Sequence, residues 1–325
     1  MPGPIASLVR PGRDLRVDFL RGLALWFIFI DHTPGNLLGQ GTLRNVAFCD
    51  ATEGFVLLAG YASGIAYGRL LEREGWLAAA AKVAGRAGTL YVAHIFLFVV
   101  FTAQVGYSAA LLDQAAYLDE LALDPFGQEP YRALLEALLL RYQPAFLDIL
   151  PLYIVVLALF ALALPLVNRA LALLAVAGLL ATAVLLNAVW HGPARGWEPP
   201  EWLAAWMAGV DKTGLHPARL LSVLVMTWLL AHLLPAGARF LAGRWASPFV
   251  LMGQQSLPVF CAGIFLSFLG RIALEVSAAP WSQAAVNAAG LAALVLVGAV
   301  SAWYSGEGGR RRAAPLPAPA GAARP

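Results

Sequence analysis

The sequence predicts an all-α fold, a polytopic transmembrane bundle of about eight membrane helices with both termini cytoplasmic, and three observations predict it. Of 325 residues, 60% are hydrophobic and only 13% charged, and the mean hydropathy of +0.71 lies far above that of a soluble domain. Apolar stretches recur at close to the roughly 20 residues a helix needs to cross the hydrocarbon core. Lysine and arginine fall unevenly on alternating connecting segments, the pattern that sets membrane orientation. This composition excludes a water-soluble single-domain enzyme, and 16 Phe, 10 Trp and 9 Tyr exclude a disordered chain. A net charge of +3 with no arginine-rich face gives no reason to expect a nucleic-acid partner.

The expected spans run near 17–34, 47–69, 88–112, 145–164, 170–190, 217–234, 247–270 and 281–303. Arg10, Arg13 and Arg16 precede the first like the basic end of a signal peptide. Asp31, His32, Thr33 and Pro34 follow in place of a small-residue cleavage site, so the segment reads as a retained helix. It carries Asp18, Arg21, Asp31 and His32, and the second carries Asp50 and Glu53. Ionisable groups at membrane depth are costly and by default face a protein interior or a watery cavity, which marks these two spans as functional. With a cytoplasmic N-terminus, 14 basic residues fall on inside segments and 6 on outside ones, leaving aside Arg21 and Arg219.

Two connections stand out, the acidic 113–144 and the Trp-containing 191–216, whose Trp202 and Trp206 suit the membrane interface. Residues 1–304 read as one membrane domain, and 305–325, rich in Gly, Ala, Arg and Pro, as a disordered tail. Cys49 and Cys261 sit beside or within apolar runs and read as free thiols.

Asp18, Arg21, Leu25, Phe29 and His32 share one helical face, because the eleven residues from Arg21 to His32 make close to three turns. The same interval rises about 16 Å, so the two side chains cannot meet on a straight helix but can address two ends of one substrate. Pro34-Gly35 ends the helix and leaves His32 in its last turn, where the helix dipole supports a general base. The bland alternative is an imidazole bonded to a backbone carbonyl, and a plain ion pair for Asp18 and Arg21.

Asp50 and Glu53, three apart, face one side of the second span. Helix N-terminal charge stabilisation suits Asp50 better than Glu53, whose expected partners are Arg21, Arg44 or His32. Polar residues in apolar surroundings complete the candidates: His94, Asp148, Tyr153, Gln254, Gln255 and Ser256, with hydrogen-bonding between helices as the competing role. His191, His216 and His232 occur singly, so no metal site is expected.

The stretches RVDFLRGLALWFIFIDHTPGN, TLRNVAFCDATEGFVLLAGYASGIAYGR, LYVAHIFLF, LDILPLYIVV, DKTGLHPARLLS and GQQSLPVFCAGIFLS resemble the OpgC family. Those are membrane acyltransferases linked to succinylation of osmoregulated periplasmic glucans in Gram-negative bacteria. They sit in a wider superfamily whose first helix carries an arginine, ten intervening residues and a histidine, here Arg21 and His32. The resemblance implies that His32 is catalytic and Arg21 its partner and donor-binding residue, with Glu53 and Asp50 orienting the histidine or the sugar. Asp31, Asp148, Tyr153, Gln254 and Ser256 are the expected substrate-binding residues. It also implies a further pair of helices ahead of DKTGLHPARLLS, an interval occupied here only by residues 190–210.

The implied function is inner-membrane O-acyl transfer, most readily of succinyl, from cytoplasmic acyl-CoA as co-substrate to a periplasmic glucan. The partners are then the donor, the glucan acceptor and membrane lipid, with no bound cofactor or metal. The alternatives are a transporter or flippase for a small anion or glycan, and a shortened family member without activity.

Overall fold

The computed structural model describes residues 8–9, 13–47, 49–163, 201, 217–235 and 238–313, and every regular element among them is helical. Helix stands in seven of the eight expected spans; the eighth, 170–190, lies outside the described residues, as does nearly all of 191–216 with Trp202 and Trp206. Among the described residues, four helices are long and apolar enough to cross a membrane: Ala51–Glu74, Trp76–Leu112, Ser256–Val276 and Pro280–Gly306.

Helix α1 covers Leu15–Asp31, opened by Asp14, whose carboxylate accepts from the Arg16 backbone N–H at 3.0 Å and pairs with the Arg16 guanidinium at 2.7 Å. That pairing holds the Asp14 carboxyl below the usual carboxylate range. A short helix α2, Leu43–Val46, leads to α3, Ala51–Glu74. Gly75, at φ +83°, turns the chain into α4, Trp76–Leu112. This 37-residue helix starts well before the expected residue 88, because Ala78 to Ala81 are strong helix formers that continue the apolar run downward. Lys82 and Arg86, counted with a connecting segment, therefore stand on α4 itself. The acidic connection folds into α5 (Ala116–Glu120), α6 (Asp124–Gln128) and α7 (Pro130–Leu138), ahead of α8 (Ile149–Ala163).

Helix α9 covers Pro217–Leu233. The stretch 247–270 is not one span but two helices, α10 (Ser247–Gln254) and α11 (Ser256–Val276), divided at Gln255. Pro258 explains the break: it has no N–H to give the Gln254 carbonyl, so a new helix starts around it. The last helix, α12, Pro280–Ala313, runs past residue 304, and residues 314–325 lie outside the described residues.

Weak hydropathy in α1 has a packing reason: the helix is surrounded by protein. It packs against α3, α10, α11 and α12, burying Leu20, Leu25, Ile28, Phe29 and Ile30. Exposed apolar residues sit instead on the outer faces of α4, α8, α11 and α12, such as Phe96, Leu159, Leu269 and Leu296. Backbone-to-backbone contact fixes α1 against α10. A side chain on Gly22 would run into the Phe249 carbonyl, and one on Gly253 into the Asp18 carbonyl. Small residues at helix crossings permit such approach in membranes, where packing rather than hydrophobicity drives association.

Candidate active site

Two polar clusters lie at opposite ends of α1. At the lower end, Arg21 is 8% exposed, its guanidinium 5.6 Å from the centre of the Phe55 ring. One Nη donates to Ser256 Oγ, and Nε has no partner among the described residues. Ser256 is there because α11 starts at the Gln255 break. The alternative of a plain Asp18–Arg21 ion pair is not realised: Asp18, 1% exposed, pairs with Arg13 at 3.2 Å and accepts from Gln254 Nε2 at 3.0 Å. The reason is register, since α10 brings the Gln254 amide to Asp18 while α11 brings the Ser256 hydroxyl to Arg21. Gln254 thus holds Asp18 instead of joining the Arg21 pocket.

Arg21 lines a narrow pocket with Arg86, Tyr153, Ser256, Ile149 and Leu90, among others. Two guanidiniums line this one small cavity and concentrate positive charge there. Arg86 was not singled out from the sequence, where it reads as one more basic residue of a connection; its place on the inner face of α4 emerges only in three dimensions. Tyr153 is buried beside it, its hydroxyl 3.4 Å from Ser63 Oγ.

At the upper end, His32 caps α1. Its backbone N–H donates to the Ile28 carbonyl at 3.0 Å, and its Nδ1 lies 2.7 Å from the same oxygen. A carbonyl only accepts, so Nδ1 carries a proton, and in the neutral ring Nε2 is then the nitrogen with the lone pair. The bland alternative, an imidazole bonded to a backbone carbonyl, is therefore realised, and it also sets the tautomer a base needs. The Phe146 ring meets the imidazole edge-on at 4.5 Å between centroids. Asp50 and Asp148 are near enough to act on it electrostatically.

Glu53 takes part in a capping box at the N-terminus of α3. Asp50 accepts from the N–H groups of Thr52 and Glu53 at 2.9 and 3.2 Å, and Glu53 accepts from the Asp50 N–H at 3.1 Å. Helix N-terminal capping thus fits both carboxylates. Asp31 braces the following loop, accepting from Thr42 Oγ1 at 2.6 Å. Asp148 is exposed, immediately ahead of α8. Among the described residues no group of three His, Cys, Asp or Glu could hold a metal ion, and Cys49 and Cys261 form no disulfide.

The turn after His32 is pinned from α12, which sequence reasoning missed. Asn36 and Asn287 exchange side-chain hydrogen bonds of 2.9 and 3.0 Å, while Gln283 donates to the Gly35 carbonyl at 2.8 Å and accepts from the Leu37 N–H at 3.1 Å. Two amides four residues apart in an apolar helix were the available signal. The sequence matches the family model described as OpgC protein over residues 13–181 and 167–306. The chain belongs to the OpgC family. No curated protein and no solved structure matches it. In OpgC terms, both stretches of the match carry parts of the site: Arg21, His32, Arg86 and Tyr153 in the first, Ser256 and Asn287 in the second.

Proposed function

We propose that this OpgC-family membrane protein is an inner-membrane O-acyltransferase that moves an acyl group, succinyl in the first instance, from cytoplasmic acyl-CoA to a hydroxyl of a periplasmic glucan. The family's association with acyltransferase activity supports the reaction class. The observation that carries the reading is the His32 tautomer, with Nδ1 anchored on Ile28 and Nε2 left as an acceptor at one end of a buried line that has two arginines at the other.

In the proposed step, His32 Nε2 takes the proton of the glucan hydroxyl as that oxygen attacks the thioester carbonyl carbon. The new ester bond forms, the carbon–sulfur bond breaks, and the imidazolium returns its proton to the departing thiolate. Asp50 and Asp148 favour the transient imidazolium, and Glu53 holds Asp50 in place through the capping box. Arg21 and Arg86 receive the donor's phosphates, flanked by Ser256 and Tyr153. His32 handles every proton, so the scheme uses no bound cofactor. Both termini are cytoplasmic in this reading, with about eight membrane passes and lipid around the bundle.

The test is mass spectrometry of periplasmic glucans from a strain lacking the protein, complemented with wild type, His32→Ala or empty vector. The expected result is an acyl mass increment restored by wild type alone, its value naming the acyl group. Equal restoration by His32→Ala removes the histidine from the chemistry. No increment with well-expressed wild type overturns glucan acylation.

A further inference from the structure

His94 is a candidate that the scheme above leaves unused. It is fully buried on α4, at 0% exposure, and neither ring nitrogen has a hydrogen-bond partner among the described residues. Buried polar groups are nearly always satisfied, and an imidazole left with none loses its hydration without return. A leucine at that position would pack as well and avoid the loss. Such an imidazole calls for a ligand.

Its position says which part of a ligand. On α4, His94 follows Leu90 by one turn on the same buried face, and Leu90 lines the Arg21–Arg86 pocket. His94 therefore stands about 6 Å above that pocket at 1.5 Å of rise per residue. The upper level is fixed through α11. Phe101 of α4 meets Phe265 and Phe268 of α11, and Thr33, next to His32, approaches Ser267 of the same helix. Phe101 and His32 are thus at similar heights, which puts His94 about 10 Å below the catalytic imidazole. The segment that leads into α8 reaches both: Ile149 lines the arginine pocket, while Phe146, three residues earlier, touches His32.

A donor anchored by its phosphate at the arginines must present its thioester to His32. The pantetheine arm between them has about thirteen bonds and extends about 15 Å at the ~3.5 Å per three bonds of a stretched chain. That matches the about 16 Å rise from Arg21 to His32. The carbonyl and N–H nearest the phosphate, with the adjacent hydroxyl, fall about 6 to 7 Å along the arm, at the level of His94.

We propose that His94 is a donor-binding residue whose imidazole hydrogen-bonds the phosphate-proximal amide and hydroxyl of the pantetheine arm, registering the thioester beneath His32. The assignment rests on the acyl-CoA reading of the Arg21–His32 line.

The experiment compares wild type, His94→Leu and His94→Gln, each first shown monodisperse and thermally stable in detergent. Transfer to a glucan oligosaccharide is measured from two donors: succinyl-CoA, and S-succinyl-N-acetylcysteamine, which lacks the phosphate-proximal amide and hydroxyl. His94→Leu should raise KM for succinyl-CoA about tenfold, the worth of one ligand hydrogen bond, with a smaller change in kcat. His94→Gln should recover part of it, and all three proteins should use the short thioester equally well. Equal losses on both donors, or no loss on either, overturn the role of His94 while leaving the acyltransferase reading standing. A folded wild type that transfers from neither donor overturns that reading itself, and His94's role with it.

Discussion

Replacing Gly253 by alanine tests whether the α1–α10 contact sets the geometry at Arg21. The added methyl would fall on the Asp18 carbonyl oxygen, a backbone atom that no rotamer change can move. A relaxed carbon–oxygen contact needs about 3.3 Å, so the two helices must part by about 1.5 Å. The Gln254–Asp18 hydrogen bond, now 3.0 Å, would stretch to about 4.5 Å and be lost. Ser256, two residues beyond Gln254, would draw away from Arg21 by a similar amount. Overpacking of this kind costs about 1 to 3 kcal/mol, and ångström-scale misplacement of a binding group costs about a hundredfold in rate. The assays are thermal unfolding in detergent and acyl transfer by membranes. Gly263→Ala is the control, because its methyl would meet only the Leu294 side chain at an ordinary 3.7 Å. It should keep activity and stability. Wild-type activity and melting in Gly253→Ala would refute the claim that close backbone approach positions Arg21.

Further outcomes follow from other contacts. Glu53→Gln preserves the capping box, since a glutamine carbonyl also accepts from the Asp50 N–H, and should retain most activity; Glu53→Ala should cost about 1 kcal/mol of stability, read by melting temperature. A large loss of transfer in Glu53→Gln would show that the carboxylate charge itself is needed. Arg86→Ala should raise KM for succinyl-CoA about tenfold or more while leaving the short thioester unaffected, and an unchanged KM would remove Arg86 from the donor site. Tyr117, on α5 outside the spans, donates to Glu275, and burial together with that bond pushes its hydroxyl up to about 12. A raised tyrosine stabilises fully below its unfolded value near 10 and loses that stabilisation as pH climbs toward 12. Wild type should therefore lose melting temperature relative to Tyr117→Phe as pH rises from about 10 toward about 12, compared in buffers of equal ionic strength. Parallel curves would show that the bond contributes nothing.

The fold class was legible because bilayer physics writes itself into composition: apolar runs of fixed length need no tertiary information. The Arg21–His32 line was equally readable, since helical periodicity puts both on one face. Partner choice was not. Asp18 and Arg21 look like a pair on an isolated helix, yet α10 and α11 offer each a different partner across more than 230 residues of sequence. The capping-box role of Glu53 was hidden because the capping geometry of α3 depends on the backbone at Asp50, which hydropathy does not report. Arg86, Gln283 and Asn287 gain their roles from which face of a long helix turns inward, and a stretch apolar all round conceals that.

Between its two polar ends, α1 is filled by Leu25, Ile28 and Phe29, and the Phe29 ring packs so close to Gly290 of α12 that a methyl there would push the ring aside. On the proposed function, this apolar layer serves as an electrical insulator. A water-filled channel from Arg21 to His32 would let protons run down the membrane potential, which is worth about 2.3 kcal/mol per charge at 100 mV. Sealed by side chains when empty, the line can be occupied only by a donor arm that displaces them and fills the same space. On the proposed function, the cell can thus keep many copies of an enzyme that works across its energised membrane without a standing leak.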